Sequence, residues 1–165
     1  MKQKVKWDMY VWVITILVTV VLCVGLICTR DILGKFIVWA TITVLVFVAM
    51  WTVAPISISV DDTSITVRKR IGNKRILISN IETVRAITPS TIPIIRIGLR
   101  MFGSGGFAGY WGWYANSQIG TYFAYYGDRY ECFLIKLKNG KKYILGCENS
   151  SEMIDRLKIQ LNINS

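Results

Sequence analysis

The chain has 165 residues, 53% of them hydrophobic, a mean hydropathy of +0.42, and a net charge of +10 from 20 Lys and Arg against 10 Asp and Glu. It contains no histidine, and its four cysteines form no CxxC pair. That excludes a histidine-based triad and speaks against a zinc centre.

In chain order, residues 9–28 (MYVWVITILVTVVLCVGLIC) and 36–54 (FIVWATITVLVFVAMWTVA) come first, two apolar runs without a charge, separated by seven residues. At helical rise, about 20 residues cover about 30 Å, the hydrocarbon thickness of a bilayer. Residues 1–55 are therefore expected to be a short tail and a two-helix transmembrane anchor. Residues 56–165, about 110 in number, suffice for one compact domain. Lys2, Lys4 and Lys6 flank the first run, and basic flanks stay in the cytoplasm. Two spans return the chain to its starting side, so the domain is expected there too. The loop between the runs carries Arg30, Asp31 and Lys35, a weak charge that argues the other way. Trp7, Tyr10, Trp12 and Trp51 fall at the expected cytoplasmic interface, and Trp39 near the opposite one. The first run exceeds the roughly 7–15 apolar residues of a signal peptide. Cys23 and Cys28 follow Leu22 and Ile27, where lipoprotein processing wants small residues. Cys132 and Cys147 read as buried, reduced packing.

Pro55 ends the second helix. Period-two alternation then marks strands at residues 56–60 and 64–69, joined by Asp61-Asp62-Thr63. A second turn at 71–73 leads to strands at 75–78 and 81–87. Residues 88–93 (TPSTIP) break the pattern, and a strand signal resumes at 94–99. Further strands are expected at 120–126, 130–137 and 141–145, the last two joined by Asn139-Gly140, a strong hairpin signal. An amphipathic helix at about 150–161 ends the domain. Asn149 or Ser150 can cap it, with Glu152 completing a capping box. About seven strands and one helix suggest a bent antiparallel sheet plugged by the helix.

Two segments are candidates for function. RKRIGNKR holds five cations in eight residues: Arg68, Lys69, Arg70, Lys74 and Arg75. Each cation near an anionic membrane contributes about 1 kcal/mol; a solvated hairpin tip protecting a sheet edge is the plainer alternative. No aromatic is interleaved for stacking, which speaks against nucleic acid. GSGGFAGYWGWY holds five glycines and five aromatics in twelve residues. Gly103, Gly105 and Gly106 can form an anion nest. Phe107, Tyr110, Trp111, Trp113 and Tyr114 can form a partner or membrane surface, or fill a core bent by glycine. No Gly-Lys-Ser/Thr follows, so a nucleotide loop is not supported. Asp61 and Asp62 read as turn formers rather than a metal pair.

The stretches ISISVDDTSITVRKR, ILISNIETV and RMFGSGGFAGYWGWY, followed by YFAYYG, a hairpin and a helix, resemble the bacterial pleckstrin-homology-like (PH-like) domain family over residues 56–161. The resemblance implies a mainly-β PH-like barrel, two near-orthogonal antiparallel sheets closed by the C-terminal helix. It implies a non-enzymatic binding or assembly module, which the two spans and their basic flank would put at the cytoplasmic face of a bacterial inner membrane. The expected partners are anionic membrane lipid and a protein or a second copy, with no cofactor and no metal. Asp61 and Asp62 occupy the first turn, where lipid-binding PH domains place cations, so no specific phosphoinositide is expected. The alternative is a small subunit of a transport or immunity system whose helices do the work, packed through Gly25, Thr15, Thr19, Thr41 and Thr43.

Overall fold

The computed structural model describes residues 1–87 and 99–161, apart from the side chain of Trp51. Two long helices come first, α1 (Met9–Thr29) and α2 (Leu33–Val53). Each is long and apolar enough to cross a membrane, by length and composition. Most of their side chains are exposed, an apolar surface that calls for an apolar cover. Asp8 starts α1: its carboxylate accepts the Val11 N–H at 2.8 Å. Gly25 lets the helices approach, since a Cβ there would lie 3.2 Å from the Trp39 ring. The hydroxyls of Thr19, Thr41 and Thr43 each donate to a carbonyl four residues back in their own helix, at 2.8 Å. Pro55 follows the Ala54 cap, as its missing N–H requires.

The β domain has two sheets. The first runs in the order β1 (Lys2–Lys4), β2 (Ser57–Val60), β3 (Ser64–Arg68), β4 (Lys74–Leu77), all antiparallel. The second is built from β5 (Ile81–Ile87), β6 (Leu99–Gly106), β7 (Gly109–Asn116), β8 (Gly120–Tyr126), β9 (Cys132–Leu137) and β10 (Lys142–Gly146). Its spatial order is β5-β9-β10-β8-β7-β6. The final helix is α3 (Ser150–Gln160). Met153, Ile154 and Leu157 of α3 are buried against Ile58, Val60, Ile65, Phe133, Ile135 and Leu145. Each such side chain contributes about 1.5–3 kcal/mol.

Several expectations are corrected. Among the described residues the two sheets do not close into a barrel, and they hold ten strands rather than about seven. They are also not wholly antiparallel. The β9–β10 hairpin inserts between β5 and β8, so β10 lies parallel to β8, with Ile144 opposite Ala124. The N-terminal tail is itself a strand: Lys4 pairs with Ser57 and Lys2 with Ser59. Lys2, Lys4 and Lys6 are exposed while Gln3, Val5 and Trp7 turn inward, the alternation of a half-buried strand. The capping box does not form. Glu131 accepts from the Ser150 hydroxyl at 2.6 Å, and Glu152 accepts from the Gln3 amide at 3.2 Å. Of the strand expected at 94–99, only Leu99 lies inside the described residues, at the start of β6; residues 88–93 lie outside them.

Candidate functional site: the junction of the helix pair and the β domain

Asp8, Arg129 and two tyrosines fasten the start of α1 to the domain. The Asp8 N–H donates to the Gly127 carbonyl at 3.0 Å, and Arg129 Nε lies 3.1 Å from Asp8 Oδ2. The Arg129 guanidinium sits 4.1 Å from the Tyr10 ring centre and 5.3 Å from that of Tyr110. Both stackings are of cation–π kind. Tyr110 in turn stacks on Tyr126, with centroids 4.8 Å apart. Burial pushes both phenols well above their ordinary range, Tyr110 further through the Asp8 charge. A paired acid at a helix N-terminus is favourable twice, through the cap and through the helix dipole.

The glycine-aromatic segment forms the β6–β7 hairpin. Gly103 faces Gly112 across the ladder, with φ of 115° and 123°. A Cβ on either would collide with a carbonyl oxygen of the opposite strand. Gly103, Gly105 and Gly106 occupy ladder positions in β6, and Gly105 lies against the Arg100 side chain. Tyr110 and Tyr114 are core residues, and the Tyr114 hydroxyl donates to the Ser104 carbonyl. Burial pushes the Tyr114 phenol up to about 12. Trp111 is half-buried against the other core cluster. Phe107 is half-buried at the tip, where its carbonyl accepts the Ser104 hydroxyl at 2.6 Å. Trp113 stays exposed, edge-on to Phe123. The tip rests on α1: a Cβ on Gly106 would lie 2.7 Å from Ile14, and Ala108 N–H donates to Thr15 Oγ1.

The five cations of the β3–β4 hairpin are brought together only in part. Arg75 turns away and donates to Ser64 Oγ at 2.9 Å and to Thr63 at 3.4 Å. Lys69 lies over the Tyr125 ring and Lys74 over Tyr143, each at 5.6 Å. Burial, and then Lys74, lower the Lys69 pKa. Arg68 is exposed at the end of β3, beside a depression shared with Met1, Lys2 and Asn73. The hairpin tip reaches α2, where Ile71 N–H meets the Thr52 carbonyl at 3.5 Å. There a groove of about 460 Å³ opens between α2 and the domain, lined by Trp7, Phe47, Met50, Ala54, Arg70 and Ala108 among others. Asp61 and Asp62 are exposed at the β2–β3 turn, and Asp62 lies 3.9 Å from Arg156. Among the described residues no group of three or more Cys, Asp or Glu is placed to hold a metal.

Asp8, Gly127 and Arg129 carry no role in the sequence analysis, whereas Tyr10 and Thr15 stand there as an interface aromatic and a helix-packing position rather than as ties to the β domain. Asp8 did carry a signal: an acid directly before an apolar helix is an N-cap signature. Arg129 carried none, because its partner is 121 positions away.

The arrangement is that of a mainly-β domain, two sheets and a terminal helix, built directly onto a pair of apolar helices. The sequence matches the family described as Bacterial PH domain over residues 56–161, and the chain belongs to that family. No curated protein and no solved structure matches the chain. PH domains are typically binding or assembly modules without catalysis, which is the coarse function the family confers.

Proposed function

We propose that the protein is a non-enzymatic, membrane-anchored PH module. It binds a protein partner or a second copy at the cytoplasmic face, with help from anionic lipid. The observation that carries the reading is the pairing of β1 with β2, extended by the Val5 N–H donating to the Ile56 carbonyl at 3.0 Å. It ties the residues entering α1 to those leaving α2, which supports the reading that both ends of the helix pair lie on one side of the bilayer. With Asp8–Arg129 and the β6–β7 tip, it also makes the domain a rigid extension of the helices rather than a tethered bead. The basic β3–β4 hairpin at the end of α2 supports contact with anionic headgroups.

Two experiments test this. Lys138→Cys sits on the exposed turn between β9 and β10. It should react with an impermeant maleimide only after the cells are permeabilised; labelling in intact cells overturns the topology. Crosslinked affinity purification from native membranes, beside a copy ending at residue 55, should recover a partner or a second copy only with the domain present. Equal recovery by both would move the function to the helices.

A further inference from the structure

We infer that the groove between the C-terminal end of α2 and the β domain seats one anionic phospholipid. Its phosphate lies against Arg70 and an acyl chain runs along Phe47, Met50 and Ala54. This rests on the membrane-anchored reading above and names a ligand for it. The groove volume, about 460 Å³, falls in the range of about 300–1,000 Å³ usual for small-molecule sites. One wall is the last two turns of α2, and the facing wall is Val5, Trp7 and Ile56. Among the described residues, the one charged side chain in the lining is that of Arg70.

That combination, one cation at the edge of an apolar cleft, is the complement of an amphiphile with a charged head. A free anion would use Arg70 and leave the Phe47–Met50 wall in water. A peptide strand would have to add to β1, the edge of that sheet, where the Lys4 carbonyl already accepts the Glu148 N–H at 3.0 Å. A phospholipid uses both halves, and a membrane-spanning α2 brings its own supply. The preference for an anionic headgroup follows from the hairpin that carries Arg70. Lys69 precedes it and Lys74 lies close enough to lower the Lys69 pKa, so the local field favours negative charge.

Native mass spectrometry of the full-length protein tests the seat. The protein is released from nanodiscs of equal phosphatidylglycerol and phosphatidylcholine. The wild type should retain one phospholipid, mostly phosphatidylglycerol. Ala54→Phe fills the cleft without changing charge and should retain none; Met50→Trp fills it from another position and guards against a folding failure of the first. Arg70→Gln keeps the walls and should lose the headgroup preference by about fivefold, the effect of one cation near an anionic surface. Arg30→Gln, at the other end of α1, should change neither. A folded Ala54→Phe or Met50→Trp protein that keeps the same lipid with the same preference overturns the proposal. So does a folded wild type that retains none. Either result leaves the Lys138→Cys labelling and partner recovery untouched, so the seat and the membrane module fail separately.

Discussion

The backbone N–H of Ala108 donates to the hydroxyl of Thr15 at 3.0 Å, across 93 positions of sequence. Thr15 passes the bond on, donating to the Val11 carbonyl at 2.6 Å. Ala108 has a φ of 51°, a left-handed conformation costing an L residue about 1–2 kcal/mol. The contact with α1 holds that turn in place. Thr15→Val keeps the shape and removes the acceptor, leaving a half-buried N–H unpaired at a cost of about 1–3 kcal/mol. Hydrogen exchange at the Ala108 amide should accelerate in Thr15→Val and stay at the wild-type rate in Thr15→Ser. Equal exchange in all three proteins would mean the tip is held by Ile14 packing alone.

Arg129 and Asp8 form a different kind of tie, since both side chains are largely buried. Removing one member of such a pair leaves the other charge uncompensated, at a cost of about 3–5 kcal/mol. Arg129→Met should therefore lower the melting temperature in micelles more than any exposed substitution. Asp8→Asn retains the cap, whereas Asp8→Ala loses cap and charge together and should be worse by about 1 kcal/mol. The double variant Asp8→Asn with Arg129→Met should recover part of the single losses, because no unpaired charge remains. Strict additivity of the two losses would contradict the coupling.

The helix pair was legible because length and composition alone define such runs, and β5 was legible because its flanks carry turn residues. What escaped depends on distance in sequence. The parallel pairing of β8 with β10 leaves no local mark. The tail KQKVKW is conspicuous for its charge, although the same residues alternate as a strand does. The glycine-aromatic stretch was ambiguous because glycine serves bends, nests and close approach equally well; only the partner strand shows that Gly103 and Gly112 need the space. The basic cluster was visible as composition. Its division between tyrosine faces, Ser64 and the α2 groove was not, since side-chain direction within a strand end is set by tertiary neighbours.

Gly103 and Gly112 give a sharp test of the close approach of β6 to β7. Both lie at positive φ, and an added Cβ would meet opposing backbone that has nowhere to go. Gly112→Ala should cost more than the about 1–3 kcal/mol of backbone strain alone. Gly34→Ala, with nothing within 4 Å, should be tolerated. Thermal unfolding in one detergent compares the two. A well-folded Gly112→Ala protein would show that the hairpin can slip register.

The buried phenols and thiols make stability fall at alkaline pH. Burial pushes Tyr114, Tyr125 and Cys147 up to about 12, and raises Tyr110, Tyr122, Tyr126 and Cys132 as well. An unfolded Tyr titrates near about 10 and an unfolded Cys near about 8.5. Between those values and the folded ones, the folded chain holds more protons than the unfolded chain. This contribution is therefore complete below the unfolded values and is lost as pH rises towards the folded ones. Melting temperature should decline steadily above about pH 9. Tyrosinate absorbance at pH 11 should be well below that of the denatured protein, because these five of the eight tyrosines stay protonated. Coinciding titrations would mean the tyrosines are wet. Cys132 and Cys147 should likewise ignore a maleimide at neutral pH until denaturant is added.

The N-terminal tail carries two roles that can be separated. Its lysines are exposed, and their charge bears on which side of a membrane the tail occupies. Its backbone and the inward Val5 belong to the first sheet, since Val5 packs against the main core cluster. Val5→Pro removes the N–H that bonds the Ile56 carbonyl and should destabilise the domain by about 1–3 kcal/mol, with faster exchange along β2. Replacing Lys2, Lys4 and Lys6 together by Gln leaves the alternation and the ladder intact. That triple variant should keep the wild-type melting temperature while a fraction of molecules inserts with the Lys138→Cys label accessible outside. Destabilisation by the triple variant, or an unchanged melt with Val5→Pro, would show that the tail acts through charge rather than as a strand.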